Sequence, residues 1–356
     1  MSKQCPACSV EIKNNSSQWA NKIYCSKECR KAAHRKKKSK ISRAQQRRSN
    51  MRQNEEVLRL VRECRRAGTV QILTGHNLES FIETMRLVRE RPKGDVRLCH
   101  IAPVKGTTFI GLFHYANLFY GGTYQNKRFG NKYIAGGLFI SHKDLKSKWR
   151  VGREAPANEV LLKIEEFLGD IIQKYLEVTP VRKSKKYQLI ERIIELEGGG
   201  DPECMMSFNH ACLVSRLDNL CKKTTPKNEY VIESKFLAYM DGLSRFISYR
   251  DERVGALRKL RKTLVIAYMA LERIKESGTY NKCFYVAYEP LLVKKYAYAM
   301  LADATEWSVF KDFIYNAVFL VLQGASLDIN SFRREMMSYL IFPKNLEELL
   351  IRTGRQ

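Results

Sequence analysis

Four cysteines near the start of the chain stand in two short-spaced pairs, Cys5–Pro6–Ala7–Cys8 and Cys25–Ser26–Lys27–Glu28–Cys29. Zinc takes four soft ligands in a tetrahedron, and two such pairs on separate turns supply that geometry. The segment around them has few large apolar side chains, chiefly Ile12, Trp19 and Ile23. A piece so small cannot build a sufficient core, so bound metal would supply its folding energy. With the tetrahedron filled, His34 is left for the surface or for a phosphate. A second candidate lies far downstream, His100 at the end of an alternating strand-like run, with Asn117 late in the apolar stretch that follows. An imidazole at the end of a strand is well placed as a base, because its pKa lies near neutrality.

Between these groups the chain is strongly basic. From Arg30 to Arg52 it carries eleven Lys and Arg and no Asp or Glu. Arg30, Lys31, Arg35, Lys36, Lys37, Lys38, Lys40, Arg43, Arg47 and Arg48 make a helix-compatible arm whose self-repulsion is relieved by an anion, and phosphates are the natural one. The whole chain repeats that bias, with 63 Lys and Arg against 37 Asp and Glu, a formal charge of +26. Nucleic acid is the expected partner, DNA ahead of RNA, and an anionic membrane surface ranks second.

The elements that must position His100 and the asparagines can be read from the pattern. Val96 to Ile101 alternates as a strand, and Pro103 and Gly106 break it. The apolar and aromatic stretch Phe109 to Tyr120 reads as a second strand, closed by Gly121–Gly122, and TYQNKRFG continues as a short helix. Upstream, the apolar stripe Val57, Leu58, Leu60, Val61 and Cys64 predicts a helix ended by Gly68. Thr69 to Leu73 reads as a short strand, and Asn77 caps a helix stopped at Arg91–Pro92. Tyr133 to Ile140 reads as one more strand. Adjacent strand residues face opposite ways, so Cys99 is expected inside, which also removes a Cys99–His100–Asn117 hydrolase. His114, in the aromatic run, is read as a hydrogen-bonded sheet residue, and the aromatics as core.

This strand, loop, strand, helix order resembles the ββα-metal core of HNH (His-Me finger) nucleases. There a His follows the first strand, an Asn-Leu sits late in the second, and an Asn or His lies on the helix. The matching residues are His100, Asn117–Leu118, and Asn126 with Asn131. The resemblance implies a metal-dependent endonuclease. His100 would be the base that activates water, and Asn117 would hold the loop that orients it. Asn126 or Asn131 would offer an amide oxygen to catalytic Mg²⁺ or Mn²⁺, and Lys127, Arg128 and Lys132 would grip the strand. The cysteine segment looks like a treble-clef or zinc-ribbon finger. The rival readings are a catalytically silent zinc-finger regulator that binds DNA or RNA, and a phage assembly or packaging protein.

From Glu159 onward the periods are helical, with runs near Lys186–Leu196, Cys204–Cys221, Ile232–Tyr249, Arg253–Ile274, Tyr285–Met300, Glu306–Gln323 and Phe332–Tyr339. The expected class is α+β: a zinc finger at 1–35, a basic arm at 36–67, a ββα-metal-like domain at 68–152, and an all-α domain at 153–356 open to a protein partner. No apolar start or membrane-length run is visible, the longest candidate, Phe313 to Leu322, being interrupted by Asn316. A soluble cytoplasmic protein of bacterial or phage type is expected, its ten cysteines serving as ligands and buried thiols rather than disulfides.

Overall fold

The computed structural model describes residues 3–13, 19–36, 54–92, 94–179, 183–221, 235–249, 252–273 and 288–353. Helix α1, residues 27–36, opens where the Ser26 hydroxyl accepts the Cys29 N–H at 3.2 Å. In α2, Glu55–Ala67, the Asn54 side chain accepts the Glu56 N–H at 2.7 Å, and Gly68 ends the helix at φ 75°. Helix α3, Leu78–Arg89, carries the expected Asn77 cap, which Ser80 reciprocates. There follow β1 Val96–His100, β2 Phe109–Gly111, β3 Leu118–Gly122, α4 Thr123–Phe129 and β4 Phe139–Ser141. The rest is mainly helical: α5 Ala157–Leu168, α6 Ile171–Val178, α7 Lys185–Glu197, α8 Pro202–Met205, α9 His210–Cys221, α10 Lys235–Ser248 and α11 Val254–Arg273. Beyond these come β5 Met300–Leu301, α12 Trp307–Leu322, α13 Ile329–Ser338, β6 Leu340–Ile341 and α14 Leu346–Thr353. The class is α+β, mostly helix. No described helix is long and apolar enough to cross a membrane.

The chain divides into two compact units, and not at the expected boundaries of 35/36, 67/68 and 152/153. One unit comprises residues 1–58 with 169–225, and the other 59–168 with 226–356. In the first, α7 packs on α9 around Ile190, Ile193, Met205 and Leu213. In the second, β1 pairs antiparallel with β3, from Val96 opposite Gly122 to His100 opposite Leu118. A two-stranded pair cannot bury its inner face alone. Helices α10, α11 and α12 bury it instead, Cys99, Ile101 and Phe119 sharing one core with Met240, Leu264 and Phe319. Gly121 is required there, since a Cβ would stand 2.6 Å from the Phe319 ring. The helical C-terminal stretch is therefore no separate domain.

Several local expectations change for physical reasons. The stretch Phe109 to Tyr120 is two strands, because a 3-10 turn at Tyr115–Asn117, capped by the His114 ring, separates β2 from β3. His114 thus caps a turn rather than sitting in a sheet. Thr69 to Leu73 is a 3-10 turn at Val70–Leu73 with every residue buried, so it lacks the two-faced environment of a strand. Of Tyr133 to Ile140, only the end pairs, as part of β4, because Gly136 and Gly137 take φ values of 72° and 75°. Cys204–Cys221 breaks at Ser207–Asn209, where Asn209 caps the second helix. The described part of Tyr285–Met300 holds two 3-10 turns, at Glu289–Leu291 and Lys294–Tyr296, instead of a helix; Pro290 lacks the N–H a helix interior uses.

Candidate metal centre and nucleic-acid interface

The first cysteine pair sits on a tight knuckle. Cys5 N–H donates to Val10 O at 2.9 Å and Ser9 N–H to Cys5 O at 2.8 Å, with Ser9 in the left-handed region at φ 58°. The second pair straddles the start of α1, Cys25 preceding it and Cys29 lying in its first turn. The Trp19 ring N–H ties the intervening segment down through Ile12 O at 2.9 Å. All four Sγ atoms lie within 4.8 Å of one another, with Cys8–Cys25 at 3.3 Å and Cys25–Cys29 at 3.4 Å. Tetrahedral Zn–S bonds place sulfurs about 3.8 Å apart, so the quartet fits one such ion. The backbone N–H of Cys25 is the main influence bringing the Cys5 thiol down to about 6, toward the thiolate a metal needs. Hydrogen bonds with Cys8 and then Cys29 push the Cys25 thiol up to about 12. The cluster can hold a metal such as zinc.

Helix α1 leads away from this centre with Arg30, Lys31 and Arg35 exposed, and Lys36 and His34 at its surface. Lys37, Lys38, Lys40, Arg43, Arg47 and Arg48 lie outside the described residues.

His100 ends β1 with only 8% of its surface exposed. Asn117, fully buried, is the clamp of the loop that follows. Its Oδ1 accepts from Ala102 N at 2.9 Å and Leu138 N at 3.1 Å, and its Nδ2 donates to Leu112 O at 2.7 Å and Ala102 O at 3.2 Å. Gly137 makes room for this, since a Cβ there would come 2.4 Å from Oδ1. Asn117 Nδ2 also stands 3.5 Å from His100 Nδ1, at the limit of a hydrogen bond and with its two hydrogens already directed at Leu112 O and Ala102 O. Nε2 faces Glu63 Oε2 at 3.8 Å, beyond hydrogen-bond length. Burial lowers the His100 pKa against the pull of Glu63. Burial would also raise the Glu63 carboxyl, but the His100 ring and the Arg59 and Arg66 guanidiniums outweigh it and hold it at about 2. The arrangement is a neutral imidazole beside an ionised carboxylate.

Among the described residues, the polar neighbours of the His100 ring are Asn117 and Glu63, and neither Asn126 nor Asn131 joins them. Asn126 is half-buried on α4, and Asn131 is exposed just beyond it with Lys127, Arg128 and Lys132. The cysteine quartet is the one cluster of three or more His, Cys, Asp or Glu donors among the described residues. Cys99 faces inward as expected, and burial pushes its thiol up to about 12.

Sequence reasoning missed both Glu63 and the basic pocket beside it. Arg62, Arg65, Arg66, Lys105 and Arg153, with Glu154, line a pocket of about 480 Å³ at the end of α2. Arg65 Nε donates to Ala155 O at 2.9 Å, fixing one wall, and Arg66 reaches Glu63 at 3.4 Å. The signal was present: Arg59, Arg62, Glu63 and Arg66 recur at helical spacing behind the apolar stripe. Compared with known proteins, the chain matches no family model, no curated protein and no solved structure, so the functional reading rests on this geometry.

Proposed function

We propose that the protein binds nucleic acid, DNA first, through a zinc-clasped N-terminal finger and the basic helix it launches. The observation that carries this reading is the exposed set Arg30, Lys31 and Arg35, beginning one residue after the fourth cysteine. The metal would fix the start of α1, and the cations would replace condensed counterions on phosphates. The basic pocket of Arg62, Arg66, Lys105 and Arg153 adds a second place for a phosphate. Fluorescence anisotropy with labelled duplex tests it. Saturable binding that weakens steeply with salt is expected, and absence of binding at low salt contradicts it.

A second reading keeps the HNH-like endonuclease. It is favoured by α4 following β3 directly and by Asn117 clamping the loop that leaves His100. His100 could take a proton from water at Nε2 only with its ring proton on Nδ1 and with the Glu63 side of the ring open to substrate. Asn126 or Asn131 would then hold Mg²⁺ or Mn²⁺. Nicking of supercoiled plasmid by the wild type but not by a folded His100→Ala variant supports this reading. Equal nicking by both, or none by either, leaves binding alone.

A further inference from the structure

The unit that carries β1 and β3 also turns aromatic side chains toward solvent. The Phe109 ring centroid lies 4.9 Å from that of Tyr133 and 4.7 Å from that of Phe139. The β2–β4 register sets Gly111 opposite Phe139, so Phe109, two residues before Gly111, emerges on the same face as Phe139. Tyr133 remains 41% exposed and Phe139 49%. Nearby Phe113 and Phe119 are wholly buried, so the exposure is selective.

The segment that carries two of these rings is positive. From Asn126 to Arg150 the chain carries seven Lys and Arg against one acid, Asp144. Lys132 and Lys143 flank the two exposed rings in sequence, and both are exposed. The loop beneath the cluster joins it to the basic pocket: Lys105 lines that pocket, and a Cβ on the next residue, Gly106, would stand 2.7 Å from the Phe109 ring. That loop thus runs from a pocket-lining lysine to the edge of the aromatic cluster.

We propose that this surface holds single-stranded nucleic acid, with bases stacked on Tyr133 and Phe139 and phosphates drawn to Lys105 and Lys132. The inference rests on the nucleic-acid reading and narrows its substrate class. In a duplex the base faces are already stacked on one another, whereas a single strand offers them to exposed rings. An apolar partner would cover the rings without using the cations; a polyanion uses both.

The test compares affinities for oligothymidylate and duplex of about twenty nucleotides at fixed salt, using wild type, Tyr133→Ala, Phe139→Ala and Phe139→Trp. Each alanine variant is expected to weaken single-strand binding about tenfold and leave duplex binding unchanged. Phe139→Trp should retain affinity and show fluorescence quenching on binding beyond that of the three native tryptophans. Equal losses on both substrates, or no loss on either, overturn the proposal. A change of oligomeric state in the alanine variants overturns it too, assigning the face to a second copy. Wild type that binds duplex but not single strand sinks this inference alone; binding to neither sinks the nucleic-acid reading as well.

Discussion

Glu63 Oε2 stands 3.8 Å from His100 Nε2, with both side chains almost sealed from solvent. Arg59, at 2.6 Å, and Arg66, at 3.4 Å, complete the carboxylate's surroundings. The His100 ring thus has the Asn117 amide beside Nδ1 and the Glu63 carboxylate facing Nε2 from beyond hydrogen-bond length.

Glu63→Ala leaves a largely buried Arg59 without its carboxylate. Losing one partner of such a group typically costs about 3 kcal/mol or more. A drop of that order in the urea-derived stability is expected. An unchanged midpoint would show that the carboxylate anchors nothing.

Asn117→Ala removes the acceptor of the Ala102 and Leu138 amides and the donor to Leu112 and Ala102 carbonyls. Each buried group left unsatisfied costs about 1–3 kcal/mol, so a total loss near 4 kcal/mol is expected. Hydrogen exchange gives the sharper readout: amides 102 and 138 should exchange faster ahead of those in β1. Uniform acceleration across the unit would mean a general loss of packing rather than a released clamp.

Much of this was legible in the chain, and the exceptions follow a pattern. The cysteine pairs, the Asn77 cap and the Gly68 stop were readable because each depends on residues a few positions apart. The clamp role of Asn117 was legible only by analogy, yet the amide does bind the loop after β1. Glu63 was invisible at His100 because its approach depends on how α2 packs, a contact spanning 37 positions that no local spacing encodes. The merging of β1–β3 with α10, α11 and α12 was hidden for the same reason. Helical periodicity tells which face is apolar and not what covers it. The 3-10 turn at Val70–Leu73 fails as a strand because β-branched composition alone does not supply a pairing partner.

Stability should fall in mild acid. Burial, offset in part by the Phe113 carbonyl and aided by His114, brings His76 from 6.5 down to about 4. The folded state therefore binds this proton more weakly than the unfolded chain. Its contribution is complete above pH 6.5 and is lost as pH falls toward 4, on the order of 3 kcal/mol. His100 and His114, both lowered by burial, act in the same direction. Urea midpoints measured across this range should decline, and His76→Gln should flatten the slope. A steeper slope in that variant would contradict the assignment.

The cysteine centre should bind one zinc per chain, and a chelator should release it with a change in Trp19 fluorescence, since that ring is tied to Ile12 O. Cys25→Ser should lose the metal and weaken nucleic-acid binding together. Full metal content in that variant would mean the ion sits elsewhere.

The most direct measurement is the salt dependence of duplex binding by wild type and by a variant carrying Arg30→Gln, Lys31→Gln and Arg35→Gln. Each phosphate contact contributes about 0.9 to the slope of log affinity against log salt, so three lost contacts should reduce it by about 2.7. That reduction, with zinc content unchanged, is the expected result. An identical slope in the two proteins would contradict the claim that the helix launched from the metal centre grips the phosphate backbone.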